Sequence, residues 1–366
     1  MKPLRIVHSE AATSFGGQER HIYNEMLAMR ERGHHMEAIT QPDAQLTEYL
    51  VQEGFTVHTL PMDGPVNYWR GIWHVRRVLR QGRFDVLNTH SRRDTMLVGL
   101  AGRIARVPLV VRTRHLARRP NSLVSYTGIP HRVTTTSEAV RQQLLERHVP
   151  GSHVAAVYSP VDVPEARRKG VLRHELGLSE NDLIVGCVAV LRRAKGHAEL
   201  IDAMLPLLRA RSSLHLVIIG SGSPVFEQLQ ALITEFQLGE QIHLLGRRND
   251  VHDLLADFDI FALATREEAL GKVFIEAAAA GVPVVATNVG GVSETMQSGK
   301  TGFLVPLDDV AALTSALEQL INDPSLRRRM GDAGRDFYHC SGRFTTEALV
   351  ANTEHHYYRW LKERRA

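Results

Sequence analysis

An α/β fold built on two doubly wound parallel sheets is predicted for this chain by three observations. β-branched, strand-like runs and amphipathic helical segments alternate from one end to the other, a pattern that places parallel strands in a sheet with helices on both faces. At 366 residues the chain is longer than a single core usually spans, so two domains are expected. The alternation breaks once, at residues 158–170, and then restarts.

The first strand is expected at residues 4–8. The loop after it carries Ser14, Phe15, Gly16 and Gly17, and a helix at 18–32 ends on Gly33. Further strands fall near 36–39, 56–60, 86–89, 109–113, 133–135 and 154–157, and Ser137 reads as the N-cap of a helix at 138–147. Pro160 and Pro164, closed by Arg167, Arg168 and Lys169, mark the linker, so the domains divide as 1–162 and 163–345, with a last helix at 346–366.

The second half repeats the pattern with strands at 183–190, 214–219, 242–245 and 260–264 and helices at 197–211, 225–236 and 251–256. A helix at 272–280, stopped by Gly281 and Pro283, leads to a strand at 284–287 and a turn at Gly290 and Gly291. From residue 310 onward the chain reads as helical with short breaks.

Composition places the chain among ordinary globular proteins, at 43% hydrophobic and 23% charged residues. Its two cysteines, Cys187 and Cys340, make no disulfide framework, which suits a reducing compartment. Met1, Lys2 and Pro3 lead straight into a strand, so no signal peptide is expected, and Arg103 and Arg106 interrupt the best apolar run, 96–111. A cytoplasmic location follows as the expectation.

The net charge of +4 is uneven. Residues 1–165 hold 21 Lys and Arg against 15 Asp and Glu; out of totals of 44 and 40 this leaves +6 on the first part and −2 on the rest. The excess is either solvated helix faces or an attraction to an anionic partner such as a membrane surface. Trp69, Arg70, Trp73, Arg76, Arg77 and Arg80 have the spacing of an interfacial amphipathic helix, and equally of an ordinary helix with its aromatics in the core. Nucleic acid does not fit, because the basic residues are not interleaved with aromatics.

Ligands of doubly wound sheets sit at the carboxyl ends of the strands. The richest such stretch is EALGKVFIEAAAAGVPVVATNVGGVSE, where Glu268 and Glu276 flank a glycine turn, Ala269, Leu270 and Gly271, that opens a helix at Lys272. Free N–H groups at a helix start attract an anion, and a carboxylate one turn further in suits a sugar hydroxyl. Arg192, Arg193, Ala194, Lys195 and Gly196 follow the first strand of the second half. Cations there suit a diphosphate, against the plainer reading of a solvated turn. Gly16 and Gly17 are either a close-approach loop or a simple tight turn, and the turn at Gly220 and Gly222 reads as structural. His90 and His115 follow strands of the first half, with Arg112 and Arg114 beside one of them, and an imidazole there would position a sugar or carry a proton.

Other chemistries find little support. Asp257, Phe258 and Asp259 form a literal D-x-D, but at the amino end of a strand, so it reads as structural, and no histidine cluster has zinc spacing. A phosphate-binding G-x-x-x-x-G-K-[ST] loop, a G-x-S-x-G elbow and a complete G-x-G-x-x-G after a first strand are all missing, which disfavours an ATPase, a serine hydrolase and a dinucleotide oxidoreductase.

On these residues the chain resembles the retaining GT-B-fold glycosyltransferases, the large bacterial group with the E-x7-E element, of the family 4 type. Glu268 and Glu276 with the following EAAAAGVPVVATNVGGVSE and TGFLV carry the resemblance, and the Gly16-Gly17 loop, the Arg-Arg-x-Lys-Gly turn and the TTSE segment at 135–138 agree in order. The resemblance implies a GT-B architecture, two Rossmann-like domains facing a central cleft, with the acceptor on the first domain, the nucleotide-sugar on the second, and the last helix crossing back to the first. It implies that Glu276 holds ribose hydroxyls and Glu268 the donor sugar. The N–H groups at Leu270, Gly271 and Lys272 would bind diphosphate, and Lys195 with Arg192 or Arg193 would neutralise the leaving phosphate. Arg247, in the loop 246–250, would lie against the base, Gly16 and Gly17 would close on the reaction centre, and His115 would approach the sugar. His90, Arg112 and Arg114 are left as acceptor contacts. Two departures stand out: Ala189 and Val190 occupy the place of the usual Gly-Arg, and Ala269-Leu270 replaces Gly-Phe in the turn after Glu268.

The expected reaction is transfer of a hexose-type sugar from a nucleotide diphosphate, UDP before GDP, to a glycan or lipid-linked acceptor, with retention and without a metal or other cofactor. Cell-surface polysaccharide or lipopolysaccharide synthesis at the cytoplasmic face of the inner membrane is the expected setting. A same-fold sugar-nucleotide epimerase and a non-catalytic nucleotide-sugar-binding subunit are the alternatives.

Overall fold

The computed structural model describes residues 2–161, 163 and 170–365. Asp162, Pro164, Arg167, Arg168 and Lys169 of the expected linker lie outside the described residues. The chain divides into two compact units, Met1–Pro160 with Arg343–Ala366, and Val161–Gly342.

In the first unit seven parallel strands form one sheet: β1 (Arg5–Glu10), β2 (His35–Thr40), β3 (Thr56–Thr59), β4 (Val86–Thr89), β5 (Leu109–Arg114), β6 (Arg132–Thr135) and β7 (Val154–Ala156). Their order is β3-β2-β1-β4-β5-β6-β7, so the winding reverses between β1 and β4, where Ile6 faces Val86 in register. That reversal opens a crevice at the carboxyl ends of β1 and β4. Ile22, Met26 and Met29 of the helix Gly17–Glu31 fill one side of the sheet together with Tyr357 and Trp360 of the helix Thr346–Arg365. Tyr357 also accepts a hydrogen bond from Asn88 Nδ2 at 3.0 Å, which ties the end of the chain to β4. Ile72, Val75 and Leu79 of the helix Pro65–Gly82 fill the other side. Burial of these three at helical spacing turns Trp69 and Trp73 away from the core; they are 64% and 61% exposed. Of the two readings open for this helix, the one with its aromatics inside does not hold.

The second unit has six parallel strands: β8 (Leu183–Val188), β9 (Leu214–Ile219), β10 (Ile242–Leu244), β11 (Ile260–Leu263), β12 (Val284–Thr287) and β13 (Gly302–Val305), in the order β10-β9-β8-β11-β12-β13. Here the reversal lies between β8 and β11, with Phe261 opposite Gly186. β13 pairs with β12 only, as an edge strand of four residues, short enough to escape a reading by pattern. Cys187 is a fully buried member of this core, and burial pushes its thiol up to about 12.

The D-x-D at the amino end of β11 is a folding device. Asp257 accepts the backbone N–H groups of Gly170 and Leu172, both at 2.9 Å, and so caps the helix Val171–Leu176. Asp259 accepts the Ile184 N–H at 2.8 Å and pairs with the buried Arg173 at 2.7 Å.

Candidate functional site

In the second unit the turn after β8 and the loop after β11 are stitched together at the winding reversal. Arg266 N–H donates to Ala194 O at 2.8 Å, and Thr265 Oγ1 donates to the same oxygen at 3.2 Å. Gly196 completes the turn at φ 68°, and a methyl group there would overlap the Ala264 carbonyl, so only glycine lets the two segments approach. The outcome is a side-chain contact: Lys195 Nζ donates to Glu268 Oε2 at 2.6 Å.

The loop then runs through buried Leu270 to Gly271, whose φ of 89° starts the helix Lys272–Ala279. The N–H groups of its first turn are directed out of the helix start, where the dipole favours an anion. Glu276 sits on this helix, half-buried, one turn beyond Lys272. Gly291 N–H holds the Glu268 carbonyl at 3.2 Å, so the turn after β12 supports the loop from behind. Lys195, Glu268, Leu270, Gly271, Lys272 and Glu276 thus belong to one local constellation. Arg192 and Arg193 are exposed at the rim of the β8 turn, and Arg247 is exposed in the loop after β10. Its neighbour Arg248 is engaged instead, with Asp250 at 2.8 Å and Glu175 at 2.6 Å.

A support that the sequence does not announce is Arg266, which pairs with Glu199 at 3.0 Å and with Asp308 at 2.5 Å. It locks the loop of Glu268 to the helix that follows Lys195. Burial holds the His197 imidazole, next to this turn, down to about 4, with the Lys195 charge adding to the shift.

In the first unit the crevice at β1 and β4 contains a string of imidazoles. His8 Nδ1 lies 2.9 Å from His90 Nε2, and His90 Nδ1 lies 3.0 Å from His115 Nε2. His21 packs edge-on against His115 with ring centroids 4.9 Å apart, and its Nδ1 meets Ser159 Oγ at 3.0 Å. Burial keeps His90 well below its usual range, with His8 and His115 adding to the effect, so His90 is neutral and acts as donor to one neighbour and acceptor from the other. The orientation of His115 is therefore set by His90.

The loop after β4 is held by Asp94, which accepts from His90 N at 2.9 Å, Ser91 N at 2.7 Å and Ser9 Oγ at 2.8 Å. Glu10, the last residue of β1, accepts from Ala11 N at 2.7 Å and Ala12 N at 2.9 Å and from Gln18 on the helix. Burial pushes its carboxyl up to about 8, and the charge of Asp94 adds to this. The Gly16-Gly17 turn starts the helix Gly17–Glu31, with Gly16 N–H held by Glu19 Oε2 at 2.8 Å. His90, His115, Arg112 and Arg114 all line a cavity of about 710 Å³, as do Glu10 and Arg92. Glu10 and Arg92 are lining residues of this candidate site that the sequence reading does not single out. The signal for Glu10 is its place as the last residue of β1, at the carboxyl end where ligands of such sheets sit.

Two wound parallel sheets, a cation–carboxylate pair at one reversal and a polar crevice at the other define a protein of the GT-B class. Residues 169–337 match the family described as glycosyl transferases group 1, and residues 15–165 match glycosyltransferase family 4. The chain belongs to the GT-B glycosyltransferases of the family 4 type.

It is 29% identical over 338 residues to phosphatidyl-myo-inositol mannosyltransferase of Mycobacterium leprae, covering 88% of each chain. It is 29% identical over 233 residues to N-acetyl-alpha-D-glucosaminyl L-malate synthase of Bacillus anthracis; that match spans 63% of this chain and 60% of the relative. The crystal structure of Anabaena HepE in complex with UDP superposes with a TM-score of 0.85 at 20% identity, over 96% of this chain and 99% of that one.

Proposed function

We propose that this glycosyltransferase moves a hexose-type sugar from a nucleotide diphosphate, UDP in preference to GDP, to a glycan or lipid-linked acceptor, with retention at the anomeric carbon and without a metal ion. The setting is cell-surface polysaccharide or lipopolysaccharide synthesis at the cytoplasmic face of the inner membrane. The observation that carries this reading is the Lys195–Glu268 contact beside the start of the helix Lys272–Ala279. It puts an ammonium, a set of helix N–H groups and a carboxylate within one loop system. In the reaction the barrier lies in breaking the sugar–phosphate bond, and negative charge develops on the leaving diphosphate. The helix start and Lys195 supply fixed positive charge there. Glu268 and Glu276 accept hydrogen bonds from hydroxyls of sugar and ribose, and so orient the donor.

UDP is favoured because the structurally similar Anabaena protein is described in complex with UDP. A lipid-linked acceptor is favoured because the mycobacterial relative is described as acting on phosphatidyl-myo-inositol. The exposed Trp69 and Trp73, with Arg70, Arg77 and Arg80 exposed on the same helix, supply the contact with an anionic membrane surface. None of the helices is long and apolar enough to cross a membrane among the described residues.

The reading is tested with the purified protein, first by its melting temperature in the presence of UDP, GDP and ADP. A ligand bound only by the folded state raises it by mass action, and UDP is expected to raise it most. Turnover of UDP-sugars after treatment with a chelator, followed by NMR of the product anomer, tests the rest. No shift with any nucleotide, or a product of inverted configuration, would sink the proposal.

A further inference from the structure

We infer that the acceptor carries an anionic group, a phosphate or a carboxylate, and that Arg112 and Arg114 bind it in the cavity of the first unit. The inference rests on the proposed reading of that unit as the acceptor side. Both side chains come off β5 into the cavity, and both are almost wholly buried, at 3% and 2% exposure. Buried guanidinium groups are ordinarily paired with a carboxylate. Here neither has one within 4 Å among the described residues.

The hydrogen bonds they do make go to neutral groups. Arg112 Nη1 donates to Ser125 O at 3.0 Å, and its guanidinium lies 3.9 Å from the centre of the Tyr126 ring. Arg114 donates to Tyr126 Oη, Arg118 O and, at 3.2 Å, Gln143 Oε1. The Nε–H of each is buried without a partner. A guanidinium has five donors, and Arg112 spends one on Ser125 O, which leaves fork donors over at the wall of the cavity, the donor set that matches a carboxylate or a phosphate.

The acids of this crevice compensate the pair only in part. Burial and the charge of Asp94 push Glu10 up to about 8, and Asp94 acts on Arg112 through its charge without pairing with it within 4 Å, its oxygens being taken by His90 N, Ser91 N and Ser9 Oγ. Arg93 and Arg119, also on the cavity, are paired with Asp63 at 2.5 Å and Glu146 at 3.3 Å. Two of the exposed arginines on the cavity are thus paired with a carboxylate at close range, whereas neither of the buried two is.

The test is isothermal titration of the full chain, saturated with UDP so that its diphosphate site is filled, with glycerol 3-phosphate, succinate and uncharged glycerol. Binding of glycerol 3-phosphate alone assigns a phosphate, binding of succinate alone a carboxylate, and glycerol is expected to be silent. Arg112→Gln is expected to weaken the binding anion at least tenfold with UDP affinity unchanged, whereas Arg112→Lys loses the fork and recovers only part. Should Arg112→Gln fail to fold by circular dichroism, Arg118→Gln at the exposed rim carries the test, with a loss of a few-fold expected. Equal anion affinity in wild type and variants, or no anion binding at 10-fold the concentration that saturates a weak millimolar site, overturns the inference. If UDP itself does not bind, the glycosyl-transfer proposal falls, and the anion titrations without UDP still judge the arginines.

Discussion

Lys195 and Glu268 stand 2.6 Å apart although 73 positions of chain separate them. The contact follows from strand order. β8 and β11 are neighbours at the winding reversal, so the segments leaving their carboxyl ends must run side by side. The backbone bonds from Arg266 and Thr265 to Ala194 then fix the register of those segments. Each group holds the other in place, and under the proposed reading a diphosphate at the adjacent helix start would meet an ammonium whose direction is already set.

Lys195→Ala is therefore expected to lower kcat by roughly 10²–10³, the usual cost of removing one well-placed electrostatic stabiliser. The fold should survive, since the pair is partly exposed, at 24% and 16% of the two side chains. The melting temperature and kcat are the measurements. A wild-type kcat in a folded Lys195→Ala protein would show that the ammonium serves Glu268 alone.

Glu276→Ala should act on binding. Glu276 lies on the helix Lys272–Ala279, one turn beyond Lys272. Loss of a charged hydrogen-bond acceptor for ribose costs about 1.5–3 kcal/mol, or about 10- to 100-fold in UDP affinity. Titration with UDP measures it, and 2′,3′-dideoxy-UDP is expected to bind wild type and variant alike. Unchanged UDP affinity would move the ribose contact elsewhere.

How far the chain could be read without coordinates depends on the range of each interaction. The alternation at 183–287 set the strands of the second sheet to within a residue or two at most ends, because the central strands β8, β11 and β12 are buried on both faces and their apolar runs are nearly continuous. Ser137 was legible as a cap, and it does accept the Val140 N–H at 3.2 Å, since a cap is decided within four residues. β13 was not legible, being four residues whose strand state comes from β12 alone. In the site, Glu268, Gly271 and Glu276 are visible as a local motif. The imidazole string is not, because His8, His90 and His115 come from three strand ends whose adjacency only the sheet order supplies. Arg266 was hidden for the same reason: its partners Glu199 and Asp308 lie far off on both sides in sequence.

The buried acids and imidazoles give stability a maximum in pH. Glu10 has a folded value of about 8 against an ordinary 4.5, so the folded state binds its proton more tightly, and stability falls as pH rises through that window. Asp94, also raised, acts in the same sense. His131, His197 and His356 are held by burial at about 3, about 4 and about 4 against 6.5, so the unfolded state binds more protons there, and stability falls as pH drops below about 6.5. The melting temperature should peak near neutrality or just below. Glu10→Gln should remove the loss that runs from about pH 4.5 to about 8, flattening the alkaline limb up to pH 8 and steepening the acid limb above pH 4.5. An unaltered alkaline limb would mean that the Glu10 carboxyl ionises normally.

The last expectation concerns Trp69 and Trp73. Four positions apart on the helix Pro65–Gly82, they share a face that the sheet does not cover, and Arg76 places its guanidinium 5.4 Å from the Trp73 ring centre. Two exposed indoles so close together leave a large apolar area in water, which interfacial burial would remove at about 1.5–3 kcal/mol for each ring fully covered. Arg70, Arg77 and Arg80 add about 1 kcal/mol each against an anionic surface, a contribution that salt screens. Sedimentation with vesicles of phosphatidylglycerol and phosphatidylcholine should therefore show binding that weakens from 50 to 500 mM salt, and Trp69→Ser with Trp73→Ser should weaken it tenfold or more at constant salt. Because the side chains are already exposed, the double variant should melt at the wild-type temperature. Equal binding of the two proteins, or equal binding to purely zwitterionic vesicles, would assign this face to something other than an anionic membrane.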